Sequence, residues 1–330
     1  MENMNEDLDR RQFIKSLALG GLALYGCSKD TPYVYEPRIT PLSTTKIALF
    51  KTQDRIEGVK QVLQLLEFTP VQDKHVTIKP NFNTADPPPA STHNDTLGQI
   101  VVEMRERGAS GITVAERSYQ RFEDVIADKG IDTLASDLDF QIQNLQTAPK
   151  TRFERQDLHW RNGFTVPNSI LNAEYIVSTC CLKTHGFGGV FTMSLKLSVG
   201  IIPSDHMDEL HGSTNIRDMI AEINLAYRPE IIVMDGVRAF IDGGPSTGEE
   251  VAGDVMVAGT NRIAVDAVGV AILKELGSTR VRGKIWEQDQ IRRAAEIGIG
   301  IRSPNQIEFV TPDEPSREYA ETLQTILSED

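Results

Sequence analysis

The sequence predicts an α/β fold, a mostly parallel sheet with helices on both faces. Three observations predict it. Strand-like apolar runs recur at 46–51, 75–78, 112–115, 175–179, 231–234, 255–258 and 307–310. Helix-like segments, with apolar residues three to four apart, lie among them. Strands alternating with helices need crossover connections, and these give a parallel sheet covered on two faces.

The elements follow in order. KIALFK (46–51) and HVTI (75–78) read as strands. A helix over 94–107 carries Leu97, Ile100, Val101 and Met104 on one face, with Asn94 as its cap and Gly108 as its terminator. ITVA (112–115) is the next strand, and 120–129 the next helix, stopped by Gly130. Further helices are expected at 216–226, 264–276, 284–296 and 317–327. No internal repeat or low-complexity block is present.

Of the 330 residues, 40% are hydrophobic and 25% charged, ordinary proportions for a chain with a real core. The net charge of −13 disfavours nucleic acid and anionic membrane surfaces as partners. There are three cysteines. Cys180 and Cys181 are adjacent, a poor geometry for a disulfide, and read as small buried residues. The absence of CxxC argues against an iron–sulfur cluster.

The N-terminus has another logic. Arg10-Arg11-Gln12-Phe13-Ile14-Lys15 precedes a short apolar run that ends at Cys27. The stretch 17–25 is far shorter than the ~20 residues of a spanning helix. A basic pair followed by a short apolar run is an export-signal layout. It resembles the twin-arginine signal at every position. That resemblance implies passage through the Tat translocase already folded, and adds weight to redox chemistry. Leu24, Gly26 and Cys27 resemble a lipoprotein cleavage box, although Tyr25 is bulkier than usual there. The box implies lipidation of Cys27 and contact with membrane only through that anchor. The organisation read from the chain is therefore a signal segment over 1–27, a tether over 28–44 containing Pro32, Pro37 and Pro41, a single α/β domain over 45–310 and a C-terminal helix over 311–330. The expected location is periplasmic or membrane-anchored.

In open parallel sheets, sites form beyond the carboxyl ends of strands. Strand 75–78 runs into Lys79-Pro80-Asn81. Strand 175–179 runs into Cys180 to Gly186, with Lys183, Thr184 and His185. Strand 231–234 runs into Asp235, and Asp242-Gly243-Gly244-Pro245 follows. Lys196 lies a little downstream of His185. Lys79, Lys183 and Lys196 beside His185 would make a positive field inside an acidic protein, suited to a carboxylate or phosphate. The competing reading pairs these lysines with Asp235 and Asp242.

These stretches carry a resemblance. Ile78-Lys79-Pro80-Asn81, Leu182 to Gly186, Met193 to Lys196 with Gly200, His211, Asp235-Gly236, Gly243-Gly244-Pro245 with Gly248, and Ala264 to Ala267 recur in the order found in the domain of unknown function 362 family. The resemblance covers roughly 45–310. It implies which residues matter but supplies no reaction. Some relatives carry ferredoxin-like cysteine motifs that this chain lacks, and Leu197-Ser198 here follows the lysine where Lys-Asn is usual.

A second cluster, Asp205-His206-Met207-Asp208-Glu209-Leu210-His211, has metal-ligating residue types at poor spacing. On a helix His206 and His211 would diverge by about 140°. His185 with His211 is the better pair, for a divalent or transition metal completed by Asp242, or for moving a proton. Gly244-Pro245-Ser246-Thr247-Gly248 fits G-x-S-x-G in letters, but no strand directly precedes it and no helix follows, so a nucleophile elbow is rejected. Gly243 and Gly244 read instead as a tight loop whose amides face an anion. Asp266 reads as a site residue or as a partner of Arg262, with the partner reading slightly favoured.

The expectation is an exported enzyme on a small anionic substrate, either an oxidoreductase or metal-assisted. Lys79, Asn81, Lys183, Thr184, Lys196, Gly243 and Gly244 would hold the anion. His185, His211 and Asp235 would be catalytic. The alternative is a tethered solute- or cofactor-binding protein without turnover.

Overall fold

In the computed structural model, which describes residues 44–329, the apolar runs become strands of one sheet. The signal segment, Cys27 and the tether up to residue 43 lie outside the described residues. The strands are β1 (Thr45–Lys51), β2 (His75–Lys79), β3 (Gly111–Glu116), β4 (Gln141–Asn144), β5 (Lys150–Phe153), β6 (Phe164–Pro167), β7 (Tyr175–Thr184), β8 (Phe191–Thr192), β9 (Ile231–Gly243), β10 (Gly248–Gly259) and β11 (Ile307–Val310). The α-helices are α1 (Arg55–Leu65), α2 (Asn94–Glu106), α3 (Phe122–Asp128), α4 (Ile131–Leu138), α5 (Asn168–Leu171), α6 (Ser194–Leu197), α7 (Met207–Gly212), α8 (Ile216–Ile223), α9 (Arg262–Glu275), α10 (Asp289–Glu296) and α11 (Glu314–Glu329).

The sheet runs β11-β1-β10-β9-β7-β2-β3-β4, with β8 paired to β7. Pairs β11/β1, β9/β7, β7/β2, β2/β3 and β3/β4 are parallel. Strand β10 is the exception, antiparallel to both β1 and β9. The fold is therefore α/β with a mostly parallel sheet, as the alternation of elements predicts. From β2 the chain order climbs one way through β3 and β4 and the other way through β7 and β9. A crevice forms at such a reversal, at the carboxyl edge.

Helices cover both faces. On one, Leu97, Ile100, Val101 and Met104 of α2 pack with Val59, Val62 and Leu63 of α1 over Val76, Ile78, Val114 and Val177. On the other, α9 lies against Ile47, Leu182, Ile232 and Val257, and α11 adds Leu323 and Leu327. Each such fully buried aliphatic side chain contributes roughly 1.5–3 kcal/mol. Among the described residues no helix is long and apolar enough to cross a membrane.

Several elements differ from expectation for identifiable reasons. Strand β7 continues past Thr179 through Cys180–Thr184, and all ten of its residues are buried. Its polar end survives burial because Lys183 and Thr184 both reach carbonyl oxygens. Helix α1 was not foreseen; Asp54 starts it by accepting from the amides of Ile56 and Glu57. Helix α2 is capped by His93, whose Nδ1 accepts from the Asp95 amide, while Asn94 donates instead to the Lys129 carbonyl. Gly108 ends α2 in the left-handed conformation, as expected. Helix α10 starts only at Asp289, because the Gln288 amide group donates to the Arg282 and Lys284 carbonyls and holds 284–288 as a turn.

Candidate functional site

A cavity of about 430 Å³ opens at the carboxyl ends of β2, β3 and β7. Strand β2 delivers Lys79 and Asn81, β3 delivers Glu116 and Arg117, and β7 delivers Lys183 and His185. Lys196 enters from α6, and Asp208 and His211 from α7. The separated stretches read from the sequence thus meet in one place. Its size lies within the range of small-molecule sites.

The charges are unevenly matched. Lys79 is wholly buried and pairs with Glu116 at 2.6 Å, while also donating to the Pro80 carbonyl. Burial holds the Lys79 ammonium below its ordinary pKa, and Glu116 only partly offsets that. Lys183 donates to the carbonyls of Ala90 and Pro245. Lys196 makes no hydrogen bond or ion pair among the described residues, although it is only 8% exposed. Burial, with the Lys183 and Arg117 cations next, pushes its pKa down to about 8. Four cationic side chains (Lys79, Arg117, Lys183 and Lys196) face two carboxylates, Glu116 and Asp208, in a protein of net charge −13.

His185 has a fixed role. Its Nδ1 accepts from the Phe187 amide at 3.0 Å, so the neutral ring carries its proton on Nε2. Burial, reinforced by the Lys196 and Lys183 cations, drives its pKa to about 2. The imidazole is therefore neutral at physiological pH. With its proton on Nε2, the ring is available there as a hydrogen-bond donor and not as a base. His211 stays exposed, stacked edge-on against Phe187 with centroids 5.2 Å apart. Burial and the Lys196 and Arg117 cations lower its pKa too.

Other expected site residues lie elsewhere. Asp235 accepts from Arg55 Nε and Thr96 Oγ1, both at 2.8 Å, on the face covered by α1 and α2, and does not line the cavity. Asp242 accepts from Thr279, outside the cavity. His185, His211 and Asp242 therefore do not assemble as a ligand set. Among the described residues no group of three or more His, Cys, Asp and Glu side chains is placed to hold a metal. In the 205–211 cluster, His206 accepts from Thr165 and Glu209 accepts from the Arg161 amide, both structural roles.

Thr184 spends its hydroxyl on the Phe240 and Gly243 carbonyls. The Gly244 amide donates to the Thr247 carbonyl, so it does not face an anion. Gly244 instead permits close packing: with φ at +72°, a Cβ there would sit 2.1 Å from the Thr184 carbonyl oxygen. The 243–248 turn reaches the cavity through Pro245 and Ser246. Asp266 accepts from the amides of Ser194 and Leu195, fixing the start of α6 two residues before Lys196. Arg262 donates to Asn224 and to the Tyr227 carbonyl.

Glu116, Arg117 and Thr192 are among the lining residues that the sequence reading does not include. Glu116 and Arg117 follow the 112–115 run directly, so the strand-end rule, applied to that strand as well, would have found them. Thr192 carries no signal in the sequence; it reaches the site because β8 folds back and pairs it with Lys183.

The sequence pattern of the family described as "Domain of unknown function (DUF362)" matches residues 76–271. The chain belongs to this family. The matched span holds every cavity residue named above. No curated protein matches the sequence. Among solved structures, the lactate racemase apoprotein from Thermoanaerobacterium thermosaccharolyticum is similar at 14% identity, with 84% of this chain and 85% of that chain covered and a TM-score of 0.43.

Proposed function

We propose that this family member is an enzyme acting on a small anionic substrate held in the cavity at the β2, β3 and β7 edge. The observation that carries the reading is the surplus of cation. Lys183 and Lys196 both line the cavity, and neither forms an ion pair among the described residues. A buried ammonium without a counter-charge is costly, and an anionic ligand offsets that cost. Lys183, Lys196 and the Nε2–H of His185 would supply donors to the anion. The Lys79–Glu116 pair would fix the floor.

Titration calorimetry with acetate, oxalate and inorganic phosphate tests this. At least one should bind, and Lys183→Met and Lys196→Met should each weaken it about tenfold, the worth of one charge-assisted hydrogen bond. Equal affinity in wild type and both variants would sink the reading. A binding protein without turnover is the second reading, favoured by His185, whose donor role removes the nearest base.

The same reading includes export through the Tat translocase and a lipid anchor at Cys27, supported by the twin-arginine pattern and the cleavage box. Replacing Arg10 and Arg11 by Lys should leave the protein in the cytoplasm. Cys27→Ser should abolish incorporation of labelled palmitate while export continues.

A further inference from the structure

We propose that Lys196 is a nucleophile that forms an imine with the carbonyl carbon of a small 2-oxo acid. The inference rests on the anion-site reading and names its substrate class. Two independent features of the cavity point to a ligand bearing both a carboxylate and a carbonyl. The first is Lys196, whose side chain is largely buried and lines the cavity without a hydrogen-bond partner among the described residues. The second is Thr192, whose Oγ1 is buried without a partner and which lines the same cavity. Thr192 sits directly across the β7/β8 ladder from Lys183. A buried hydroxyl without a partner costs about 1–3 kcal/mol, which a ligand oxygen would recover.

The two features divide the work. Lys183 and the His185 Nε2–H receive the carboxylate, and Thr192 Oγ1 donates to the carbonyl oxygen. The neutral Lys196 amine attacks the carbonyl carbon. The nitrogen loses a proton and the oxygen gains one, giving a carbinolamine. The C–O bond then breaks, water leaves with a second proton, and the C=N bond remains. Amine and 2-oxo acid are consumed and one water is released, so no oxidant or reductant is needed. His211, exposed at the cavity edge, can carry the proton to the departing oxygen.

The amine is prepared for this. Burial and the neighbouring Lys183 and Arg117 cations favour its uncharged form, the usual way in which an enzyme makes a lysine nucleophilic. Its stem is held as well: a Cβ on Gly189 would lie 3.3 Å from Lys196 Cε, so the backbone at Gly189 packs close to the side chain. Lys79, engaged by Glu116 and the Pro80 carbonyl, is not a competing nucleophile.

The test incubates the full chain with pyruvate and sodium cyanoborohydride, followed by peptide mass spectrometry, and measures binding of propionate, which has no keto group, in parallel. The expected result is a reduced pyruvyl adduct on Lys196 and not on Lys79 or Lys183. Lys196→Arg, which keeps a cation but has no nucleophilic amine, should abolish the adduct. Matching thermal melts for the variant and wild type establish folding. Propionate binding with no adduct at Lys196 in the wild type overturns the imine and leaves the anion site standing. Loss of both pyruvate and propionate binding in the wild type overturns the anion site, and the imine with it.

Discussion

The Lys79 ammonium lies 2.6 Å from the Glu116 carboxylate on the neighbouring strand, and both side chains are closed to solvent. Glu116 also accepts from the amides of Phe82 and Arg117, each at 2.8 Å. One carboxylate therefore binds two strand ends to the cavity floor. Removing one member of a buried pair strands the other charge and typically costs 3–5 kcal/mol. Glu116→Gln should lower unfolding stability by about 3 kcal/mol in urea titrations. The double variant Lys79→Met/Glu116→Gln should lose less than the two single losses combined. Full additivity would show that the pair does not act as a unit.

Gly200 borders that pair. A Cβ there would lie 2.5 Å from Glu116 Oε1 and 2.6 Å from Lys79 Nζ. Gly200→Ala should destabilise by about 1–3 kcal/mol, the usual cost of overpacking. It should also weaken anion binding by shifting the floor. A melting temperature and affinity equal to wild type would contradict the placement.

The imine reaction should follow the charge on Lys196. Its pKa is pushed down to about 8, and the groups facing it are Lys183, Arg117, His185 and His211. The rate of adduct formation with pyruvate should rise with pH through about 8 and level off above. Lys183→Met removes a cation, so the Lys196 pKa should rise and the profile should move to higher pH. A flat profile would exclude Lys196 as the titrating nucleophile.

Asp266 links stability to pH. Desolvation raises its pKa from 3.8 to about 7, against the opposing hydrogen bonds from Leu195 and Ser194. The folded state thus holds a proton that the unfolded state releases near 3.8. Its contribution to stability is fully present below about pH 4 and falls as pH rises to about 7. Asp266→Asn should flatten that fall in chemical denaturation measured from pH 4 to 8. Asp266→Ala should be worse at every pH, because it leaves two buried amides unpaired at about 1–3 kcal/mol each. It should also reduce adduct formation at Lys196 by loosening α6.

Reading strand ends picked out Lys79, Asn81, Lys183 and His185, all of which line the cavity. It failed at Asp235 and Asp242. Strand β9 runs on to Gly243 instead of ending at Met234, so these residues lie along a strand, where pleating decides which face each meets. Asp235 falls on the α1–α2 face, against Arg55. The same step-by-step alternation took Thr184 out of the cavity while Lys183 stayed in it.

The sequence by itself determined the class of fold and most of the cavity's basic residues, because apolar periodicity and strand-to-loop transitions are local properties of the chain. Only tertiary structure decided which charges meet, that Lys196 is left alone while Lys79 is paired, and that His185 Nδ1 is taken by the Phe187 amide. Those outcomes depend on strand order, register and the return of β8. These bring residues dozens of positions apart within hydrogen-bonding reach, and no short window of sequence contains that information.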